Sequence, residues 1–239
     1  MVWYEFALTT SFIFFQTGNS TTKYYSKKYF KKDCHAWFQS GAREDGPYEI
    51  FIAGKYPKTV VCKMVDDGSE REGGWIMALN KTRTHVDKQN NDFIKFWDDY
   101  KNGFEVNSGH YLGNEYLHLL TEYEDQQLWV IYDHVGVSKT EFFQKVKIKS
   151  EDEFYEISFD ETSFSYPSFG EAVNGNGFTA SLSDGSTKGT APNCPKSHKV
   201  GWWYTPNCFY GFYLTEPCSH GADRLDSKFA HMLLSPKKR

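Results

Sequence analysis

Aromatic residues make up 18% of this 239-residue chain, as 20 Phe, 16 Tyr and 7 Trp, and they constrain the fold more than any single motif does. A buried ring removes a large apolar area from water and packs well against other rings. The 19 glycines favour tight turns between short elements. Together these residues predict a compact, loop-rich domain whose core is built from rings rather than from long aliphatic helix faces.

The charge and hydropathy of the chain exclude several classes of protein. Its formal net charge is −4, which argues against a dedicated nucleic-acid binder because phosphate contacts need clustered Lys and Arg. Its hydrophobic content of 39% and charged content of 24% exclude a disordered chain and a polytopic membrane protein.

The N-terminal residues have the pattern of an export signal. An apolar stretch runs from Phe6 to Phe15 and small polar residues follow it, although Glu5 precedes it and Lys and Arg do not. We therefore predict a signal peptide over residues 1–20 and a secreted, extracellular protein; a buried N-terminal strand is the alternative. Residues 21–32 alternate basic and aromatic side chains. They predict a solvated lead-in to a domain over residues 33–236, or else a contact with an anionic surface.

The five cysteines lie at positions 34, 62, 194, 208 and 218, and no two of them form a CxxC pair. A zinc site or a thioredoxin-type site is therefore not indicated. In a secreted chain the local pairings Cys34–Cys62 and Cys194–Cys208 are favoured, although the sequence alone does not determine connectivity. Cys218 would then be left over, as a buried thiol or as a link to a second chain.

Motifs that carry chemistry are scarce. The chain has no GxSxG, HExxH or P-loop motif and no paired histidines at metal-ligand spacing. We therefore predict that it binds rather than catalyses. The sequon Asn80-Lys81-Thr82 predicts N-glycosylation of Asn80 in a secreted protein.

Local patterns predict short secondary-structure elements. The stretch 48–64, interrupted by Gly54 and Pro57, predicts a hairpin. Residues 91–102 place four rings at helical spacing before Gly103 and predict a short amphipathic helix. A second helix is predicted over 111–120 with Asn114 as its cap, and strands are predicted over 127–133, 145–150 and 153–159. From residue 167 onward the composition predicts mostly ordered loop.

In chain order, these segments resemble the fibrinogen C-terminal domain that is shared by ficolins, tachylectins, angiopoietins and fibrinogen. The matching segments are Asp33-Cys34, Val61-Cys62-Lys63-Met64, Gly73-Gly74-Trp75, residues 92–104, Tyr111-Leu112-Gly113-Asn114-Glu115, His118-Leu119-Leu120-Thr121, Asn193-Cys194 and Gly201-Trp202-Trp203-Tyr204 before Cys208. A weaker match, Ser227-Lys228 through Met232 and Pro236, is similar to the family's closing strand, so the resemblance covers residues 33–236. It implies an α+β fold with a twisted, mainly antiparallel sheet, short helices and a loop-rich C-terminal subdomain. The cysteine spacings also fit the family's two disulfides.

The resemblance bears on calcium as well. Family members are similar in carrying a calcium loop before the third cysteine, with two Asp side chains two residues apart. The corresponding loop here offers only Asp184 as a carboxylate, and Lys188 adds a cation to it. Calcium takes six to eight oxygen ligands, several of them anionic. We therefore expect no required cofactor, and at most weak calcium binding at Asp184.

The lectin-like members of the family bind acetylated ligands beside this loop, near the second disulfide. By resemblance, the ligand-binding residues here are Trp203, Tyr204, Asn207, Cys208, Phe209, Tyr210 and Tyr213. The rings among them could stack on the C–H face of a sugar or on an acetyl methyl group, or they could equally belong to the core. The family's histidine after the fourth cysteine is replaced by Phe209, so the floor of the pocket must differ.

Two functions fit the resemblance. The first is lectin-like binding of glycans or acetylated groups, as in secreted ficolin-type recognition proteins. The alternative is a protein–protein ligand or matrix component of the angiopoietin-like type without sugar binding, and the loss of calcium ligands and of the pocket histidine favours it. The predicted partner is thus an extracellular glycan or protein. We expect a monomer or a Cys218-linked dimer, because the chain lacks a coiled-coil or collagen stalk.

Overall fold

The computed structural model of the chain describes residues 31–52, 57–82, 91–134, 137–160, 168–208, 214–215 and 229–236. The predicted signal peptide and most of the lead-in segment lie outside these ranges. The helices are α1 (Cys34–Gln39), α2 (Trp97–Asn102), α3 (Asn114–Tyr123), α4 (Phe169–Val173) and α5 (Cys194–His198). The strands are β1 (Gly46–Ile50), β2 (Lys58–Val65), β3 (Gly73–Thr82), β4 (Phe104–Val106), β5 (Gly109–Tyr111), β6 (Gln126–His134), β7 (Val137–Ile148), β8 (Ile157–Asp160), β9 (Thr179–Ser181), β10 (Thr187–Gly189) and β11 (Phe229–Pro236). A 3-10 turn spans Glu151–Glu153.

Most of these strands form one antiparallel sheet. Its order is β1-β2-β3-β11-β6-β7-β8, and the β4–β5 hairpin joins it where β5 pairs with the second half of β3. β9 and β10 form a separate hairpin. The expected α+β fold, with a mainly antiparallel sheet and short helices, is confirmed. Among the described residues, no helix has the length and apolar character needed to cross a membrane.

The last strand in the sequence lies at the centre of the sheet. β11 pairs with β3 on one side and with β6 on the other. Within it, Leu234 stands in register with Ile76 and Leu128, and all three side chains are buried. Such cross-strand neighbours on one face are the packing unit of a sheet. The two halves of the sheet are therefore joined through β11.

α1 is held against the sheet by its cap, a disulfide and a glycine. The Asp33 carboxylate accepts a hydrogen bond from the Ala36 N–H at 2.6 Å, the usual way to satisfy the start of a helix. Cys34, the first helical residue, is bonded to Cys62 of β2. At the start of β3, a Cβ on Gly74 would lie 2.0 Å from the carbonyl oxygen of Cys34. The helix and the strand can therefore approach this closely only with glycine at position 74.

The expected core of rings is present. Trp97, Tyr100, Phe178 and Trp203 are almost completely buried. The Phe178 ring centroid lies 6.0 Å from that of Trp97, 5.2 Å from that of Tyr100 and 5.0 Å from that of Trp203. Tilted and edge-to-face pairs at these distances add stability beyond the area that they bury. This cluster joins α2 to the C-terminal loop region.

Both predicted helices form, but their starts differ from the prediction. α2 begins at Trp97 rather than near residue 91, because the Asn91 carbonyl and side chain accept bonds from Ile94 and Phe93 in a turn and Phe96 is extended. α3 spans Asn114–Tyr123, and its capping position is Gly113, with φ +110°. The predicted Asn114 cap is wrong, because the buried Asn114 side chain instead accepts a bond from the Tyr111 hydroxyl at 2.5 Å.

Candidate ligand-binding region

The candidate region consists of the β9–β10 hairpin, α5 and the segment from residue 199 to residue 208. The disulfide between Cys194 and Cys208 closes it, with the Cα atoms 5.4 Å apart. Both predicted disulfide pairings are therefore present, since Cys34 and Cys62 are also bonded. The expected free thiol, Cys218, lies outside the described residues.

Two of the predicted ligand-binding rings lie beneath this region. Trp203 and Tyr204 have no exposed surface. The Trp203 indole N–H donates to the Tyr155 carbonyl at 2.8 Å, and the Tyr204 hydroxyl donates to the Val200 carbonyl at 2.7 Å. Of the two interpretations that the sequence allows for these rings, core packing fits their positions. Neither Trp203 nor Tyr204 has an exposed ring face on which a ligand could stack.

The other predicted ligand-binding residues differ in what the structure says of them. Asn207 is exposed at the rim and its side-chain oxygen accepts a hydrogen bond from the Thr205 hydroxyl at 3.0 Å. Cys208 is half-buried and adopts a left-handed conformation with φ +56°. Phe209, Tyr210 and Tyr213 lie outside the described residues. In the described part of the rim, the exposed groups are therefore the Asn207 side-chain amide and the backbone around Cys208, and the buried rings of Trp203 and Tyr204 lie beneath them.

The loop of the β9–β10 hairpin does not fit a calcium ion. The Asp184 carboxylate accepts bonds from the Ser186 hydroxyl at 2.5 Å and from the Ser186 N–H at 2.9 Å. These two hydrogen bonds lower the pKa of the Asp184 carboxyl. Within the described ranges, no three His, Cys, Asp or Glu side chains are grouped so that they could hold a metal ion. A single carboxylate that already closes its own turn falls short of the anionic ligands that calcium takes.

An ion-pair cluster around Glu151 holds the hairpin instead. The Glu151 carboxylate accepts bonds from Lys188 at 2.7 Å, Lys101 at 2.5 Å and the Trp97 indole N–H at 2.9 Å. The Lys188 ammonium also lies 4.5 Å from the centroid of the Trp97 ring. The sequence shows Lys188 in the loop but gives no signal for Glu151, which lies 37 residues away. Two lysines and an indole therefore connect the hairpin, α2 and the 3-10 turn through one carboxylate.

Acid should weaken this cluster. Partial burial tends to raise the pKa of Glu151, but the bonds from Lys101, Lys188 and Trp97 outweigh it and lower the pKa from 4.5 to about 2. Because the folded-state pKa is depressed, the stabilisation is complete above about pH 4.5 and is lost as the pH falls towards 2. We expect Glu151→Gln to lower the free energy of unfolding by about 1 kcal/mol at pH 7. The deficit should shrink towards pH 2 in thermal melts.

The neighbouring carboxylate provides the control for this prediction. Among the described residues, the Glu153 side chain forms a single ion pair, an exposed one with Lys149, and such pairs contribute little. Glu153→Gln should leave the melting temperature nearly unchanged at every pH. Equal effects of the two substitutions would show that the cluster has no special role.

The predicted glycosylation site lies in the sheet. Asn80 belongs to β3 and is paired with His110 of β5 on one side and with His231 of β11 on the other. Its side-chain oxygen is buried and has no hydrogen-bond partner among the residues that the structure describes. A sequon inside a strand with neighbours on both sides is a poor carrier of a glycan. Glycosylation of Asn80 stays a prediction, and this position argues against it.

Comparisons with known proteins agree with this architecture. Residues 30–220 match the family model described as fibrinogen beta and gamma chains, C-terminal globular domain. Fibrinogen C domain-containing protein 1-A of Xenopus laevis is 27% identical over 237 aligned residues, covering 87% of this chain and 48% of the relative. Fibrinogen C domain-containing protein 1 of Xenopus tropicalis is 28% identical over 193 residues, covering 74% and 38%. The chain thus spans less than half the length of these curated relatives.

Solved structures show the same fold at low sequence identity. The fibrinogen-like globe domain of human ANGPTL6 superposes with a TM-score of 0.68 at 22% identity, covering 92% of this chain and all of that one. The lamprey fibrin D-dimer, complexed with the peptide Gly-His-Arg-Pro-amide, has a TM-score of 0.64 at 18% identity, covering 91% and 78%.

Proposed function

The chain belongs to the fibrinogen C-terminal domain family, and we propose that it is a secreted recognition module that binds an extracellular glycan or acetylated group. Two disulfides support an extracellular setting, because such bonds persist in oxidising compartments. We place the ligand at the rim beside the second disulfide. Asn207 and Cys208 would contact it there, together with Phe209, Tyr210 and Tyr213, while Trp203 and Tyr204 support the rim from below.

The conformation of Cys208 is the observation that carries this proposal. A non-glycine residue in the left-handed region is strained by about 1–3 kcal/mol, and such residues concentrate at binding sites. Cys208 adopts φ +56° at the exposed end of a disulfide-closed loop, next to the exposed Asn207. The disulfide holds backbone and amide groups in a fixed arrangement at the surface. A fixed polar rim of this kind suits a small polar ligand, because little ordering is needed on binding.

A second candidate function is binding of a protein ligand without a sugar pocket. The burial of Trp203 and Tyr204 favours it, since it removes two of the rings on which a sugar could stack. The lamprey fibrin relative was solved with a peptide bound, which gives a precedent for peptide recognition within this fold.

A glycan array probed with the full chain, with and without calcium, distinguishes the two functions. The first predicts binding to acetylated or other saccharides that calcium does not alter. Asn207→Ala should then weaken binding at least about tenfold, since lost hydrogen bonds to a ligand reach this size. The matched control Asn107→Ala changes an exposed residue between β4 and β5 and should bind normally. A blank array with well-folded protein would contradict the lectin-like proposal and support the protein-ligand function.

A further inference from the structure

The segment before α2 and the β9–β10 hairpin together form a small face that the rim beside the disulfide does not include. Phe96 pairs with Ser181 in a parallel bridge, and Ser181 pairs with Thr187 across the hairpin. Directly paired residues point to the same side of a sheet. The three side chains therefore lie in one row on one face, which spans about 10 Å at two strand spacings.

The side chains on the other face of these paired strands point to the core. The side chains of Phe96, Ser181 and Thr187 must therefore point away from it. Ala180 is buried and pairs with Lys188. The Lys188 ammonium lies over the ring of Trp97, the residue next to Phe96. Since neighbouring residues in extended chain alternate between faces, the row that contains Phe96 faces outward.

The exposed fractions agree with this direction. Phe96 is 49% exposed and Ile94, two residues earlier, is 38% exposed. Between them, Lys95 turns the other way, with its ammonium 5.8 Å from the Phe104 ring. Single exposed rings are common on proteins and need no explanation by themselves. Phe96 differs in its neighbours, which are one aliphatic side chain on the same side and two hydroxyl groups in the same row.

The hydroxyl groups of Ser181 and Thr187 are the polar part of this row. Within the described ranges, the Ser181 and Thr187 side chains make no hydrogen bond to protein atoms, whereas the hydroxyls of Thr179, Ser186 and Thr190 do. The backbone that carries the ring is held in place, because the Phe96 N–H donates to the Asp99 carboxylate at 3.0 Å. An exposed ring on a fixed backbone, beside hydroxyl groups that have no partner among the described residues, can bind a ligand that has both a C–H face and hydroxyl groups.

We propose that this row, which we call the Phe96 platform (Phe96, Ser181 and Thr187), is a subsite for a neutral saccharide. The ring would stack on the C–H face of one sugar unit, and the hydroxyl groups of Ser181 and Thr187 would bond the next. Charge supports a neutral ligand. Asp98, two residues after Phe96, and Asp184, in the loop of the hairpin, are exposed carboxylates that would repel sulfated or sialylated chains, whereas the ammonium groups of Lys95 and Lys188 lie against the rings of Phe104 and Trp97. The small apolar area, one ring and Ile94, fits a sugar better than a protein, whose interfaces bury about 800 Å² per partner.

This inference rests on the proposed saccharide-binding function and adds a second contact surface to it. The test titrates the full chain with four neutral hexasaccharides, built on α-glucan, β-glucan, mannan and chitin backbones, and follows binding by saturation-transfer difference NMR. We expect Phe96→Ala to weaken binding of the preferred saccharide about tenfold. Phe96→Tyr keeps a ring and should retain the affinity. Tyr123→Ala, which removes a 62% exposed ring at the end of α3, is the matched control and should bind as the wild type does.

The outcomes distinguish failure of the Phe96 platform from failure of the proposed lectin-like function. If the wild-type chain binds a hexasaccharide and Phe96→Ala binds it equally well, the platform is wrong while the lectin-like function stands. If the wild type binds none of the four, the platform is refuted; if it is also blank on the array, the lectin-like function is refuted with it. The melting temperature of each variant shows that loss of binding is not loss of folding.

Discussion

A chain that ends after residue 228 is expected not to fold, because it lacks β11. Without this strand, β3 and β6 each lose a hydrogen-bonded neighbour in the middle of the sheet, and unpaired buried backbone groups are costly. The buried side chains of Ile76 and Leu128 also lose Leu234, which stands between them. Thermal and urea denaturation followed by circular dichroism should show no cooperative transition for the shortened chain.

Two further variants make this prediction specific. A chain that ends at Pro236 keeps all of β11 and should unfold with the wild-type midpoint. Leu234→Ala should fold but lose about 3 kcal/mol of unfolding free energy, the usual size of a large-to-small change in a packed core. A cooperative transition at the wild-type midpoint in the chain that ends after residue 228 would mean that β11 is peripheral, contrary to its position.

The sequence anticipates β11 as a strand by its resemblance to the family's closing strand, but not its central place. Periodicity reports which face of a segment is apolar and carries no information on which strand pairs with which. The pairing of residue 234 with residues 76 and 128 is set by packing across the whole chain. Local sequence patterns therefore predict the hairpin of β1 and β2 correctly but carry no information on the order of the strands in the sheet.

The start of α2 shows a second limit. Phe93, Phe96, Trp97 and Tyr100 have helical spacing, yet only the last two are in the helix. The turn at Asn91 and the bridge from Phe96 to Ser181 compete with helix formation, and a short helix gains too little by itself to resist them. The ring at position 96 consequently points to solvent, which is the basis of the proposed saccharide platform and was not visible in the sequence.

The sequence predicts which residues form the candidate region but not which of their side chains are exposed. The resemblance correctly identified the Cys194–Cys208 disulfide, and it located the loop that contains Asp184. It could not decide whether Trp203 and Tyr204 face a ligand or the core, because an aromatic residue in a loop of this kind suits both. Nor could it find Glu151, whose role arises from lysines that are distant in sequence.

Gly74→Ala is the second substitution for which we expect a large effect. Its Cβ would lie 2.0 Å from the Cys34 carbonyl oxygen and 2.9 Å from the His35 nitrogen, and these backbone atoms cannot rotate away. Relief requires α1 to move off β3. We expect a loss of about 3 kcal/mol or more in unfolding free energy by urea denaturation, at the upper end of overpacking effects.

Gly68→Ala is the control that distinguishes the steric clash at position 74 from the backbone strain that alanine meets where glycine has a positive φ. Gly68 has φ +70° and open space around its Cβ position, so alanine there meets only the left-handed strain of about 1 kcal/mol. Equal losses at positions 68 and 74 would contradict the steric explanation. Because the Cys34–Cys62 disulfide holds α1 where the clash occurs, Gly74→Ala should cost less in a Cys34→Ala/Cys62→Ala background, where the helix can shift. That coupling, measured as a double-mutant cycle, would show that the disulfide and Gly74 maintain one contact, the close approach of α1 to the sheet.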